Sequence, residues 1–260
     1  MRTTGLALLA TLALAGCGGG GGNPGTCNGG ALVCGGVDPT PSPDPGSGRA
    51  VGLFKGSTDT GRTAYTLVLA SGKIWVLYGA SGDASLLGGA ENGNYTAADG
   101  EITSVDLVDF SAASGAVVRG SLQGIYAGEE SIAATVTAGG PLASLAGTWD
   151  PNSADAAELA DAVGTYDGTL SVTDGSDGAS VAVSASGAIT GTSTGGCTIT
   201  GSLLPNSSAH SYSLNVNLAG GICGNEGITM AGVAIVEGTR IFGAGFNGIR
   251  SEGFTFAGGR

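Results

Sequence analysis

Ser211-Tyr212-Ser213-Leu214-Asn215-Val216-Asn217-Leu218 alternates polar and apolar at every position. Successive side chains of a β-strand point to opposite faces, so this stretch puts Tyr212, Leu214, Val216 and Leu218 on one face and the polar set on the other. A strand wet on one side and dry on the other belongs to an antiparallel sheet. Outward from it the same alternation recurs in Tyr65, Leu67 and Leu69, in Ile74, Val76 and Tyr78, and in Leu170 with Val172. Turn-forming pairs separate these runs: Ser71-Gly72, Asn92-Gly93, Asp99-Gly100, Asp174-Gly175, Asp177-Gly178, Ser186-Gly187, Glu237-Gly238 and Asn247-Gly248. Several are the positive-φ pairs that tight hairpins need. Where the punctuation is densest it falls about every ten residues, the rhythm of small barrels and sandwiches. The expected fold is all-β: an antiparallel meander forming one or two small barrels or sandwiches. Closure would hide the edges that so many strands create.

One segment departs from that grammar. Residues 153–163, Ser-Ala-Asp-Ala-Ala-Glu-Leu-Ala-Asp-Ala-Val, combine helix formers with an Asn152 or Ser153 cap, early acids and Gly164 as a stop, which predicts one short helix. On either side a pattern repeats: Gly52-Leu53-Phe54-Lys55-Gly56 and Gly164-Thr165-Tyr166-Asp167-Gly168 share the form G-x-aromatic-x-G. The echo suggests a first β module over 50–150, a connecting helix over 151–163 and a second, related module over 164–260. One continuous β domain with an inserted helix is the alternative.

The chain has 260 residues, of which 52 are Gly; 42% are hydrophobic and 12% charged. Its mean hydropathy of +0.27 supplies enough apolar surface for a core, unlike a disordered chain. A net charge of −12 opposes binding to polyphosphate, so no nucleic-acid partner is expected.

Met1-Arg2-Thr3-Thr4 and the apolar stretch from Gly5 to Leu14 read as a signal peptide over 1–16, too short to span a bilayer of about 30 Å as a helix. Leu14-Ala15-Gly16-Cys17 resembles the lipobox of bacterial lipoproteins. The resemblance implies that Cys17 becomes the mature N-terminus and carries several acyl chains, palmitate among them, each buried CH₂ contributing about 0.8 kcal/mol. Gly18 follows where inner-membrane retention would place Asp, which favours the outer membrane, facing either periplasm or cell surface. Residues 17–49, with five glycines at 18–22 and the run Asp38-Pro39-Thr40-Pro41-Ser42-Pro43-Asp44-Pro45, read as a tether. The mature chain from Cys17 carries −13. Setting Cys17 aside leaves Cys27, Cys34, Cys197 and Cys223, an even number for an oxidising compartment. Proximity favours Cys27 with Cys34 and Cys197 with Cys223 among three possible pairings. Neither pair has CxxC spacing and His210 is the lone histidine, so no metal site is expected.

Each motif that carries chemistry requires a particular local structure. Gly191-Thr192-Ser193-Thr194-Gly195 matches the nucleophile-elbow pattern, but a strand follows where a helix is required, and no acid lies between Ser193 and His210. Gly243-Ala244-Gly245-Phe246-Asn247-Gly248 matches a dinucleotide fingerprint, yet it too leads into a strand. Asp174-Gly175-Ser176-Asp177-Gly178 offers oxygens to Ca²⁺ and equally makes a hairpin turn. His210 sits between strands, where an exposed loop residue is expected. Phe54, Trp75, Tyr78, Trp149, Tyr166, Phe254 and Phe256 fill a core or line a ligand cavity. No acid pair stands out, although a pair converging in a cleft would favour hydrolysis. No catalytic residue and no cofactor are expected.

The lipobox, the Gly-rich tether, the alternating strands and the ending Gly253-Phe254-Thr255-Phe256-Ala257-Gly258-Gly259 together are similar in layout to the barrel domains of surface lipoproteins related to transferrin-binding protein B. That resemblance implies a non-enzymatic ectodomain that binds a protein partner, although the long loops such proteins use are short here. The expectation is a lipid-anchored outer-membrane lipoprotein with a non-catalytic β ectodomain for partner binding or envelope support. Its alternatives are a lipocalin-like carrier of a small apolar ligand and a surface hydrolase.

Overall fold

The alternating stretch 211–218 forms β14 (Tyr212–Ala219), with Tyr212, Leu214, Val216 and Leu218 buried and Ser213, Asn215 and Asn217 exposed. It belongs to a computed structural model that describes residues 49–138, 144–224 and 227–260, all within one packing unit. Cys17, Cys27, Cys34, the signal peptide and the tether up to residue 48 lie outside the described residues.

The first half forms β1 (Gly52–Thr58), β2 (Thr63–Val68), β3 (Lys73–Ala80), β4 (Asp83–Asn94), β5 (Thr96–Ala98), β6 (Glu101–Ser111), β7 (Ala116–Ala127), β8 (Ser131–Val136) and β9 (Ser144–Trp149). Every pairing is antiparallel. β9 returns to β1, and β4 closes the other side on β6 over four residue pairs, 89–92 against 108–111. The short β5 pairs only with the start of β6, so the ring itself has eight strands. The second half forms β10 (Gly164–Val172), β11 (Gly175–Val183), β12 (Ala188–Ser193), β13 (Thr198–Pro205), β14, β15 (Ile228–Glu237), β16 (Arg240–Asn247) and β17 (Gly253–Gly259). It is a closed up-and-down barrel, with β17 paired to β10. The expected meander is therefore present as two eight-stranded barrels.

Both barrels close alike. Gly56 of β1 pairs with Gly147 of β9, and Gly168 of β10 pairs with Gly258 of β17. A Cβ on Gly56 would lie 1.9 Å from the Ala146 carbonyl oxygen, and one on Gly168 would lie 2.0 Å from that of Ala257, so each seam excludes side chains. Two residues earlier, Phe54 and Tyr166 are fully buried, each in the interior of its own barrel. The G-x-aromatic-x-G echo thus marks the closing strand of each barrel.

Each interior holds its own core. Phe54, Ile74, Val76, Tyr78, Ile102 and Leu122 pack in the first, and Tyr166, Leu170, Leu203, Tyr212, Phe254 and Phe256 in the second. A third core lies between the barrels, where outward residues of β2, β3, β4 and β6 meet outward residues of β15, β16 and β17. Trp75 packs on Phe246 with ring centroids 5.8 Å apart, and Tyr65 on Phe242 at 5.5 Å. A Cβ on Gly253 would come within 2.7 Å of the Phe110 ring, so glycine lets the two walls touch. Strands at this contact are buried on both faces, as the unbroken buried stretches of β3 and β16 show.

The short helix expected near 153–163 is a single α turn, α1 (Leu159–Ala162), preceded by a 3₁₀ turn at Pro151–Ala154. Helices this short are marginal in water, and the second barrel captures the carbonyls a longer helix would need. Tyr212 donates its hydroxyl to Glu158 O at 2.6 Å, Tyr166 to Ala162 O at 3.1 Å, and the Arg260 guanidinium to Asp161 O and Val163 O. The Ser153 hydroxyl meanwhile bonds both the N–H and the carbonyl of Leu53, tying the linker to β1.

Two turn assignments need correction. Asn92-Gly93 lies within β4, and Asp177-Gly178 within β11. Gly93 serves a close approach rather than a turn: its Cβ would meet Ser104 Oγ at 2.3 Å.

Candidate functional site

A ligand-carrying barrel needs an interior void. The one found inside the second barrel is about 40 Å³ and is walled by Leu170, Val181, Ile199, Leu214, Phe254 and Phe256. Small-molecule sites usually measure about 300–1,000 Å³. A void of that size between apolar side chains is a packing defect of a filled core. Of the aromatics weighed for a cavity, Phe54 and Tyr78 fill the first barrel, Tyr166, Phe254 and Phe256 the second, and Trp75 joins the contact between them. Trp149 is half-buried at the end of β9, with its indole N–H unpartnered.

Larger grooves lie where the outer walls meet. One of about 490 Å³ runs between Arg62, Leu87 and Ser111 of the first barrel and Thr169, Ser171 and Thr255 of the second. A second of about 320 Å³ is formed by Leu69, Trp75 and Asn92 opposite Val233, Phe246 and Arg250. Beside it, Arg250 on the β16–β17 hairpin donates to Asp106 Oδ2 at 3.0 Å and to Asn92 O at 3.3 Å. Burial raises Asp106, but bonds from the Asn94 backbone and from Arg250 outweigh it and lower its carboxyl overall. The neighbours of this bridged pair in sequence, Val105 and Ile249, are 89% and 76% exposed. An apolar residue from each barrel is thereby displayed beside a fixed ion pair.

The third groove, about 360 Å³, is the most polar and lies against the linker. Lys55 on β1 reaches Asp150 Oδ2 and Glu237 Oε1, each at 2.9 Å, and Tyr65 donates to Glu237 Oε2 at 2.5 Å. Burial alone would lower the Lys55 ammonium, yet its two carboxylate partners raise it overall. Burial would likewise raise Asp150 and Glu237, and bonds from Lys55, Asn152 and Tyr65 lower both. One ammonium held between two carboxylates leaves a net charge of −1, and through Glu237 the ammonium bridges the barrels.

His210 enters this groove, and here the expectation of an exposed loop residue is corrected. Ala209 and His210 are both left-handed, with φ of 66° and 38°. Such backbone costs about 1–3 kcal/mol per residue and persists only when the surroundings impose it. The imposition is visible: Ala209 is fully buried in the contact between barrels and donates its N–H to Ser153 O at 3.1 Å. His210 is half-buried, and its Nδ1 is sealed from solvent without a partner.

The tested motifs fall on hairpins. Ser193 ends β12, and its hydroxyl accepts from the Cys197 N–H at 3.1 Å ahead of β13. Residues 243–248 end β16 and begin its hairpin. Thr173-Asp174 forms the tight β10–β11 turn and Gly175 already opens β11, while Asp177 accepts from the Gly195 N–H across to the next hairpin. Among the described residues no group of three or more His, Cys, Asp or Glu is placed to hold a metal. Cys197 and Cys223 form a disulfide joining the β12–β13 turn to the β14–β15 connection, as their proximity suggested.

Two acids converge that no motif flagged. Glu91 on β4 and Asp109 on β6 face each other across the closing pair of the first barrel, both fully buried. They lie inside a sealed wall rather than in a cleft open to a polymer substrate. An acid inside the apolar run Leu107-Val108-Asp109-Phe110 is the signal that would have found one of them.

Comparison with family models, with curated proteins and with solved structures finds no match for this chain.

Proposed function

We propose that this is a lipid-anchored lipoprotein of the outer membrane, held through Cys17, whose twin-barrel ectodomain recognises a partner on its outer surface and performs no catalysis. The observation that carries the reading is the contrast between a 40 Å³ interior void and grooves of 320–490 Å³ where the barrels meet. Space for recognition lies outside the barrels. The exposed Val105 and Ile249, fixed by the Arg250–Asp106 pair, supply apolar contact area without a mobile loop. The acyl chains implied by the lipobox place this surface at the membrane, facing periplasm or exterior.

Two experiments test the two halves. Cys17→Ala should move the protein from the membrane to the soluble fraction, and retention there would refute acyl anchoring. A photo-crosslinking residue at position 249 should capture a discrete adduct in intact envelopes, while one at the exposed Leu204 should not; equal labelling would refute a recognition surface at the barrel contact. The apolar walls of the interior void favour a second reading, a carrier of a small apolar ligand, which requires that void to expand severalfold.

A further inference from the structure

Glu91 and Asp109 occupy the shortest join in the first barrel, four residue pairs long. Without the four residue pairs between β4 and β6 the sheet would stay open, with β4 and β5 as free edges. Glu91 pairs directly with Asp109 inside that short join, and both carboxyls point into the barrel. Tyr78 on β3 donates its hydroxyl to Asp109 Oδ1 at 2.7 Å. Three oxygens remain sealed from water with no partner: both of Glu91 and Oδ2 of Asp109.

Two opposed carboxylates in an apolar interior cannot both be ionised, because burial and mutual repulsion each penalise the second charge. One proton resolves the conflict. It neutralises one acid and gives the pair an O–H donor that two carboxylates lack. Besides the pair itself, the titratable and charged groups acting on it among the described residues are Tyr78 from β3 and Arg62 from the β1–β2 turn. Burial raises both acids; the Tyr78 bond and the Arg62 charge oppose this at Asp109 alone, so Glu91 is the one that keeps its proton. Arg62 is already engaged, its guanidinium 5.9 Å from the centre of the Tyr78 ring.

We propose that the first barrel is latched by a single proton held between Glu91 and Asp109, and that losing this proton loosens the β4–β6 join. The second barrel closes through β10 and β17, where glycine faces glycine and no acid pair intervenes, so it provides an internal reference.

The test is hydrogen exchange on the full-length chain from pH 5 to pH 9, corrected for the intrinsic rate. Peptides covering 89–92 and 108–111 should lose protection by up to about tenfold per pH unit, the limit for one proton, relative to peptides of β10 and β17. Glu91→Gln, which keeps the donor and cannot ionise, should flatten that slope and raise protection at the alkaline end. Asp109→Asn should flatten it as well if the first variant folds poorly. A wild-type join whose protection does not depend on pH, or one that tracks the second barrel, overturns the proposal without any variant. Restoration of protection at pH 9 by millimolar Ca²⁺ or Mg²⁺ would also overturn it, assigning the three oxygens to a metal.

Discussion

Removing an aromatic ring from one barrel should be felt in the other. Phe246, on β16 of the second barrel, is 3% exposed and meets Trp75 of β3, itself 6% exposed, at 5.8 Å between ring centres. Truncating a buried aromatic to alanine costs about 3–5 kcal/mol. A tilted aromatic pair adds about 0.5–1.5 kcal/mol of coupling beyond its buried area. Trp149, on β9 of the first barrel, is the only other tryptophan in the chain and a natural reporter. In urea, Phe246→Ala should move the transition seen by Trp149 fluorescence to lower denaturant. For a slope near 3 kcal/mol/M the shift is about 1 M or more. Circular dichroism, which sees both barrels, should move by the same amount. Combined with Trp75→Ala, the double variant should lose about 0.5–1.5 kcal/mol less than the two single losses added together. A Trp149 transition unmoved by Phe246→Ala would show that the barrels unfold independently and that their contact contributes nothing.

Other expectations follow from the disulfide and the charges. Cys197→Ala with Cys223→Ala removes a cross-link between positions 26 apart and should cost about 3.5 kcal/mol by chain entropy, read as a lower urea midpoint; a loss under about 1 kcal/mol would refute that origin. Acid titration should show stability arising from Asp106, Asp150 and Glu237. Their folded values are lowered, so the contribution is complete above the unfolded value near pH 4 and fades as pH falls through the folded values. Glu91 acts with the opposite sign: its folded value is raised, so stability declines as pH rises from about 4 toward that value. The two trends together predict a maximum in mildly acidic solution. Lys55→Met should shallow the acid limb, because Asp150 and Glu237 both lose the cation that lowers them; an acid limb of unchanged depth would contradict that role.

The fold was legible where one face of a strand is wet. β14 alternates without a fault, and its burial alternates with it. The contact between barrels was not legible for the opposite physical reason. Strands β2, β3, β16 and β17 are buried on both faces, one inside their own barrel and one against the neighbour, so their sequences run Ala-Tyr-Thr-Leu-Val, Ile-Trp-Val-Leu-Tyr, Ile-Phe-Gly-Ala-Gly-Phe and Gly-Phe-Thr-Phe-Ala. Such runs look like any buried strand, and only their placement in a meander with wet strands elsewhere reveals a second dry face. The G-x-aromatic-x-G echo was visible, but its partners were not: the glycines that make it necessary, Gly147 and Gly258, lie about 90 residues downstream in each half. Asn92-Gly93 misled because the same pair that favours a turn also suits a strand passing Ser104 closely. His210 and the Glu91–Asp109 pair were hidden because their surroundings come from distant strands.

The central functional claim is that recognition belongs to the outer surface and not to the barrel interiors. Native mass spectrometry of the Cys17→Ala protein, exported to and purified from the periplasm, tests it directly. The account predicts the mass of the processed chain with nothing further bound. A co-purifying apolar mass, lost when Leu214→Trp fills the interior void while the fold persists, would contradict it and make the second barrel a carrier.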